Sequence, residues 1–364
     1  MTKMIRLAKP PISFSEVQGA IKEIIESGRL IEGKNIEEFE NGLAKVAGSK
    51  YCCAASSGTS ALHLMFSAAG IGKGDEVLIP DYTFFSPANM VEACGAKPVM
   101  ADIKLETLNL NPEDFEKRIT EKTKAVLAIH QFGNPAEMGE IKKIAGEKGI
   151  SVFEDAACAL GAKCGGKSCG SIGKAGIFSF HPRKIISTGE GGAVVTNDKE
   201  FAEKAAKLRN HGIEKKDGAK LMTELGFNYR MNEIAAAMGN AQLKKLDEII
   251  GRRKEIASIY KEKLASFALL PNREGHIYQS YVIIAGKDRD KIVKKLGKEG
   301  IEAGKGAETI HMQPYYRKKY GLKESEFPKS NEAYRKAITL PIHTGMSDEE
   351  AAFVAEKARE LLGR

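Results

Sequence analysis

Four short segments combine polar side chains with glycine at points where a strand or a helix is expected to begin or end. Residues 56–60 read Ser-Ser-Gly-Thr-Ser and open an apolar helix, and Glu154-Asp155 close an apolar strand. Lys184 follows the apolar run 178–180, and residues 188–192 form a glycine-rich turn. A helix start offers amides, hydroxyls and a positive dipole end to an anion. A lysine beyond a buried strand is placed to act as a desolvated amine that forms a Schiff base.

Each segment alone has an ordinary explanation, such as a helix cap, a salt-bridged carboxylate or a solvated lysine. Together they match what pyridoxal phosphate (PLP) requires: an anion cradle, a carboxylate against the ring nitrogen and a lysine for the aldehyde. Successive strand residues point to opposite faces, so one of Glu154 and Asp155 can enter the site while the other turns away. The carboxylate would keep the pyridine protonated, and the lysine amine would move the substrate proton.

The elements that must position these residues alternate along the first two-thirds of the chain. Short apolar runs predict strands at 76–80, 97–100, 123–130, 150–155, 175–180 and 192–196, with helices at 86–94 and 137–148 among them. This alternation predicts an α/β fold with a mostly parallel sheet that helices cover on both faces. Ligands on such sheets bind at the carboxyl ends of the strands, where the polar segments lie.

A long helical pattern from Glu233 to about Phe267 marks the passage into the last third of the chain. We expect a large α/β domain with an N-terminal arm at 1–245 and a smaller C-terminal α+β domain at 246–364. The smaller domain should contain a strand over 278–285 and helices near 288–299 and 348–362, the last one capped by Ser347.

Composition excludes several classes of protein. The chain has 364 residues, with 56 Lys and Arg against 48 Asp and Glu, so its net charge of +8 is modest, and the charges are interspersed. Nucleic-acid binding would favour clustered basic residues, so no nucleic-acid partner is expected. The uncharged run 51–72 carries a Ser/Thr-rich centre and a histidine, which argues against a membrane span. With no secretory pattern and six cysteines in no CxxC pair, we expect a cytoplasmic protein without a metal site.

Residues 161–168 fit the Walker A pattern, but their context argues against a nucleotide-binding loop. That motif works where a strand leads directly into a helix. Here Ser168 is followed by Cys-Gly-Ser-Ile-Gly, which is a poor helix start. A glycine-rich surface turn is the better interpretation.

In their order and wording, the motifs resemble the DegT/DnrJ/StrS family of PLP-dependent sugar aminotransferases, within fold type I of PLP enzymes. The resemblance spans essentially the whole chain. It is carried by SGRLIEG at 27–33, SSGTSALHL at 56–64, GDEVLIPDYTF at 74–84, FEDAACALGA at 153–162, FSFHPRKIISTGEGGAVVTND at 178–198, LRNHG at 208–212, LGFNYRMNEIAAA at 225–237 and LPIHTGM at 340–346.

The resemblance implies a role for each matching residue. Lys184 would be the Schiff-base lysine, and Asp155 the partner of the pyridine nitrogen. The phosphate contacts and the stacking aromatic would come from Gly58, Thr59, Ser179 and Phe84. Asn228 would reach the phosphate of the neighbouring subunit, which implies a homodimer with shared active sites.

The implied reaction moves an amino group from glutamate to a keto group of a nucleotide-linked sugar, in a polysaccharide-type biosynthetic setting. Two alternatives are a PLP- or pyridoxamine-phosphate-dependent sugar dehydratase, whose relatives carry His at the lysine position, and a non-catalytic regulator. Retention of Lys184 argues against both. Cys158 stands where the family commonly has Gln, and Gln279 and residues 304–309 also depart from it. The identity of the sugar therefore stays open.

Overall fold

The protein is described by a computed structural model that covers residues 4–286 and 288–363. Its strands are β1 (Tyr51–Ala55), β2 (Glu76–Pro80), β3 (Lys97–Ala101), β4 (Thr123–Ile129), β5 (Ser151–Asp155), β6 (Lys163–Cys164), β7 (Lys167–Ser168), β8 (Ala175–Ser179), β9 (Gly192–Thr196), β10 (Ile213–Lys216), β11 (Ala219–Met222), β12 (Tyr281–Ile284), β13 (Gly304–Lys305) and β14 (Ala337–Leu340). Its α-helices are α1 (Phe14–Ser27), α2 (Lys34–Ala47), α3 (Gly58–Ala68), α4 (Ser86–Ala93), α5 (Pro112–Lys117), α6 (Met138–Glu147), α7 (Lys199–Arg209), α8 (Glu233–Leu243), α9 (Leu246–Leu264), α10 (Arg289–Lys298), α11 (Pro314–Tyr320), α12 (Pro328–Lys336) and α13 (Asp348–Leu362).

Seven strands form the central sheet, in the order β1-β9-β8-β5-β4-β2-β3. Neighbouring strands are parallel from β8 through β3, and β9 runs antiparallel to both β8 and β1. Asp155 is paired with Ile129 of β4 and with Ile177 of β8. The carboxyl ends of these three strands therefore meet at one edge, as the predicted mostly parallel sheet requires.

Helices cover both faces of this sheet, and successive side chains of a strand pack into different apolar cores. Ile177 packs into the core under α3, α4 and α7, whereas its neighbour Phe178 packs into the core under α2 and α8. In β4, Leu127 likewise joins the first core, while Val126 and Ala128 pack beneath α6. Strands buried on both sides explain the continuous apolar runs in the sequence.

The C-terminal part has its own sheet, β12-β14-β13, and its own apolar core beneath α9, α10 and α13. Ser347 caps α13, and its hydroxyl accepts the Glu350 amide at 3.2 Å, as predicted. The N-terminal arm also reaches this part, where Ile5 forms a parallel bridge to Ile301. A domain boundary at 245/246 stays a prediction.

Two segments bear on expectations from the sequence. The helical pattern expected from Glu233 to Phe267 is divided at Lys244–Lys245, and Asp247 and Glu248 then supply the negative charge that favours a new helix start. The Walker-like segment forms the small antiparallel pair β6–β7, as its poor helix propensity indicated.

Over residues 4–286 and 288–363, no helix has the length and apolar character needed to cross a bilayer.

Candidate active site

The adjacent carboxylates at the end of β5 have separate environments. Glu154 is completely buried, and Asp155 is 7% exposed. Asp155 Oδ1 accepts the Ala157 amide at 2.9 Å, and its charge interacts with that of Lys184. Burial raises the pKa of the Asp155 carboxyl, although the Ala157 amide and the Lys184 ammonium offset part of this rise. Asp155 is thus a buried anion for which a cationic partner would be favourable.

Glu154 instead forms hydrogen bonds with the backbone of the loop that follows β7. Its two carboxylate oxygens accept the amides of Gly170, Ile172 and Gly173 at 2.8, 2.6 and 2.7 Å. His130 also contributes, with Nε2 at 2.9 Å from the carboxylate. His130 Nδ1 accepts the Ala136 amide, so the proton is on Nε2, which donates to Glu154. Glu154 is therefore a structural anion.

Glu154→Gln is expected to lower the free energy of unfolding by about 3 kcal/mol, because the amide NH₂ would face amide donors in a buried site. Chemical denaturation measures this change. Glu147→Gln, at an exposed position in α6, should unfold like the unsubstituted protein. A Glu154→Gln protein of unchanged stability would show that the four contacts contribute little.

The loop that carries Lys184 is held on both sides by glutamine amides. Gln242 of α8 accepts the Ser187 amide at 2.9 Å and donates to the Ser187 carbonyl at 2.6 Å. Gln279 donates to the Arg183 carbonyl at 2.6 Å and is 7% exposed. These bonds fix the backbone on either side of Lys184. Gln279 thus supports the lysine loop, and its bearing on the choice of sugar stays a prediction.

Gln242→Ala is expected to loosen this loop, because it leaves the buried amide and carbonyl of Ser187 without their partner. Amide hydrogen exchange at residues 183–188 should become faster, and the free energy of unfolding should fall by about 2 kcal/mol. Gln18→Ala, at an exposed position in α1, is the matched control. Unchanged exchange in the loop would mean that the Gln242 amide does not hold it.

A cradle of backbone lies beside this loop, where α3 begins. The Ser57 hydroxyl accepts the Ser60 amide, and helix geometry leaves the amides of Gly58 and Thr59 without intrahelical acceptors. A Cβ on Gly58 would lie 2.7 Å from the Cβ of Ser179, and one on Gly192 would lie 2.3 Å from the Ser57 carbonyl oxygen. Only glycine permits these close approaches, which bring β8, β9 and the start of α3 together.

The other predicted residues lie around this cradle. The Thr59 hydroxyl is 3.0 Å from that of Ser86, at the start of α4. Phe84 is 58% exposed, with its ring against Phe85. Asn228 forms a bridge with Asn210, and the carbonyl of the next residue, Tyr229, accepts the Ser56 amide at 2.8 Å.

The donor set fits PLP. A glycine-lined helix start suits a phosphate dianion, the buried Asp155 suits a protonated ring nitrogen, and Lys184 supplies the amine. Lys184 Nζ donates to Cys158 Sγ at 3.1 Å, so the amine lies beside the turn that follows β5, close enough for its charge to interact with that of Asp155. An exposed aromatic ring at Phe84 offers a face for a planar ligand.

Residues 12–359 match the model of the DegT/DnrJ/EryC1/StrS aminotransferase family. The chain belongs to this family. Family membership confirms the resemblance drawn from the motifs, the fold type I class and the assignment as an aminotransferase.

Several relatives align with 97–100% of this chain. Spore coat polysaccharide biosynthesis protein SpsC of Bacillus subtilis is 36% identical over 377 residues, covering 97% of this chain and 96% of SpsC. GDP-perosamine synthase of Escherichia coli O157:H7 is 32% identical and covers 99% of each chain. Among solved structures, DesV of S. venezuelae superposes with a TM-score of 0.94 at 31% identity over 100% of both chains.

Sequence reasoning did not single out Gln242 or assign Gln279 to the lysine loop. Each acts through an amide that bonds to backbone distant in sequence, 55 and 96 residues away. The local signal for Gln242 is a glutamine near the end of an alanine-rich helix, EIAAAMGNAQL.

Proposed function

We propose that this aminotransferase uses PLP to move an amino group from L-glutamate to a keto group of a nucleotide-linked sugar. The observation that carries the proposal is the convergence of the Lys184 amine, the buried Asp155 carboxylate and the α3 cradle at one edge of the sheet. The family is PLP-dependent, and two relatives are named for polysaccharide biosynthesis and for GDP-perosamine synthesis.

Each predicted site residue would have a role that follows from its chemistry. Gly58, Thr59 and Ser179 would bind the phosphate through amides and hydroxyls, and Phe84 would cover one face of the ring. Asp155 would hold a proton on the ring nitrogen. When bound, PLP supplies an electron sink for negative charge at the substrate carbon. Lys184 Nζ would first hold the cofactor and then, as a free amine, carry the proton between substrate atoms.

Assembly is part of the proposal. We infer that Asn228 reaches the phosphate of a neighbouring subunit in a homodimer. The exposed side chains of Leu221, Met222 and Leu225, in and just after the β10–β11 hairpin, support an interface here, because large apolar groups at 46–79% exposure are costly in water. We also place the protein in the cytoplasm, a setting in which its six free thiols would persist.

The test is turnover of L-glutamate with a panel of nucleotide-linked keto sugars. We expect 2-oxoglutarate to form in equal amount with a sugar nucleotide that has gained an amino group. Loss of water from the sugar without matching 2-oxoglutarate would identify a dehydratase. No turnover with any sugar and no half-reaction with glutamate would favour the regulator.

A further inference from the structure

Cys158 and Lys184 form a close pair of a thiol and an amine inside the candidate site. Their side chains meet at 3.1 Å between Sγ and Nζ, and both are partly exposed, so small solutes can reach them. Cys158 comes three residues after Asp155, in the turn that follows β5. Lys184 lies in the loop after β8 that Gln242 and Gln279 hold in place. The backbone that carries Lys184 is therefore held in place on either side of the lysine.

Burial disfavours the thiolate form of several other cysteines. Burial raises the pKa of the Cys53 thiol to about 11 and also raises that of Cys94, and the thiolate is the form that attacks peroxides. Cys164 is partly exposed like Cys158, but its thiol donates to the Ala136 carbonyl at 3.5 Å. It supplies a matched comparison for a thiol bonded to backbone instead of to an amine.

We propose that Cys158 is a peroxide-sensitive modification site, at which the oxidised sulfur closes a covalent sulfur–nitrogen bond to Lys184. In the first step the sulfur attacks a peroxide, the O–O bond breaks, the sulfur is oxidised by two electrons to a sulfenic acid, and one water leaves. In the second step Nζ attacks the sulfur, the S–O bond breaks, and the hydroxyl leaves as water with a proton from the amine. The protein loses two hydrogen atoms, and one hydrogen peroxide becomes two waters.

The short distance between Lys184 Nζ and Cys158 Sγ decides how the sulfenic acid reacts. A sulfenic acid condenses with a neighbouring nitrogen or thiol when one is within reach. A preoriented amine has an effective concentration far above that of any thiol in solution. With Nζ already 3.1 Å from Sγ, ring closure needs a small movement of one flexible side chain. Added thiol reverses the bond in two steps: one thiol attacks the sulfur and releases the Lys184 amine, and a second thiol then releases the Cys158 thiol and leaves as a disulfide with the first.

The bond has a consequence for the enzyme that rests on the proposed function. Lys184 cannot be bonded to PLP and to Cys158 at the same time, so PLP-loaded protein should resist sulfenamide formation. Once L-glutamate has converted the cofactor to its amine form, Lys184 is free and the site becomes susceptible. Oxidation would therefore stop the enzyme in the half of its cycle that waits for the keto sugar.

The experiment treats full-length protein, with PLP removed, with one equivalent of hydrogen peroxide and maps the digest by mass spectrometry. We expect a cross-linked peptide that contains Cys158 and Lys184, lighter by about 2 Da than the sum of the reduced peptides. Dithiothreitol should remove the link, and tryptic cleavage after Lys184 should fail until it does. Cys158→Ser should abolish the link, whereas Cys164→Ser should keep it, with circular dichroism confirming that both variants are folded.

Loading with PLP should lower the yield of the link at least tenfold, and subsequent addition of L-glutamate should restore it. Oxidation of Cys158 that stops at sulfinic acid, a disulfide from Cys158 to another cysteine, or equal linking in the PLP-free protein and in protein whose absorbance shows bound PLP would overturn the proposal. A protein that takes up no PLP but still forms the Cys158–Lys184 link would contradict the proposed function and leave the modification site standing.

Discussion

Lys184→Ala is expected to abolish transamination, with a loss of roughly 10³-fold or more, because no other group would carry the substrate proton. The variant should still fold. Lys184 is partly exposed in a loop, and the bonds that hold this loop are made by the backbone of Arg183 and Ser187. Steady-state release of 2-oxoglutarate measures the loss, and thermal unfolding checks the fold.

Lys148→Ala, at an exposed position after α6, is the matched control and should keep full activity. Lys184→Arg tests the amine more narrowly, since it keeps a positive charge near Asp155 but cannot form a Schiff base. It should be as inactive as Lys184→Ala. Substantial turnover by either Lys184 variant would remove this residue from its assigned role.

Asp155→Asn is expected to bind PLP but to react about 10²–10³-fold more slowly, because a neutral amide stabilises the protonated ring poorly. The single-turnover rate with L-glutamate measures this effect. Glu154→Gln is the informative contrast, since the two residues are adjacent but Glu154 bonds to the 170–173 loop. We expect Glu154→Gln to lose stability and Asp155→Asn to lose rate. An unchanged rate in Asp155→Asn would contradict the ring-nitrogen assignment.

Thermal unfolding gives a second readout for Asp155. Because burial raises its pKa in the folded chain, the folded state binds this proton more tightly than the unfolded state does. The stability of PLP-free protein should therefore fall as pH rises from the unfolded pKa of about 3.9 through the raised folded value, and then level off. Asp155→Asn removes this loss. PLP should raise the melting temperature of the unsubstituted protein more than that of the variant.

Much of the candidate site could be predicted because its residues lie in short sequence patterns that mark the ends of strands and helices. Strand ends, the Ser/Gly/Thr helix start and the glycine turn are visible within five residues each, and the parallel sheet then brings them to one edge. The opposite directions of Glu154 and Asp155 follow from strand geometry alone. The structure adds the role of Glu154, whose carboxylate accepts hydrogen bonds from three loop amides.

The remainder depends on contacts between distant parts of the chain. Asp81, directly after β2, accepts a hydrogen bond from His311 Nδ1 at 2.7 Å, and His311 Nε2 lies 3.1 Å from Asn331 Oδ1; all three residues are buried. This series of hydrogen bonds connects the central sheet to the segment before α11. No local pattern marks these three residues as partners, since 230 positions separate the first two. The same is true of the hydrogen bonds that Gln242 and Gln279 make with the loop around Lys184.

The most direct test of the central claim is the visible absorbance spectrum of the purified, PLP-supplied protein, recorded before and after addition of L-glutamate. We expect a yellow band from cofactor linked to Lys184, which glutamate converts to the colourless amine form, with one 2-oxoglutarate released per site. Lys184→Ala should show no such band. A protein that shows no band after PLP is supplied, or a band that glutamate leaves unchanged, would contradict the assignment of this site to glutamate-dependent amino transfer.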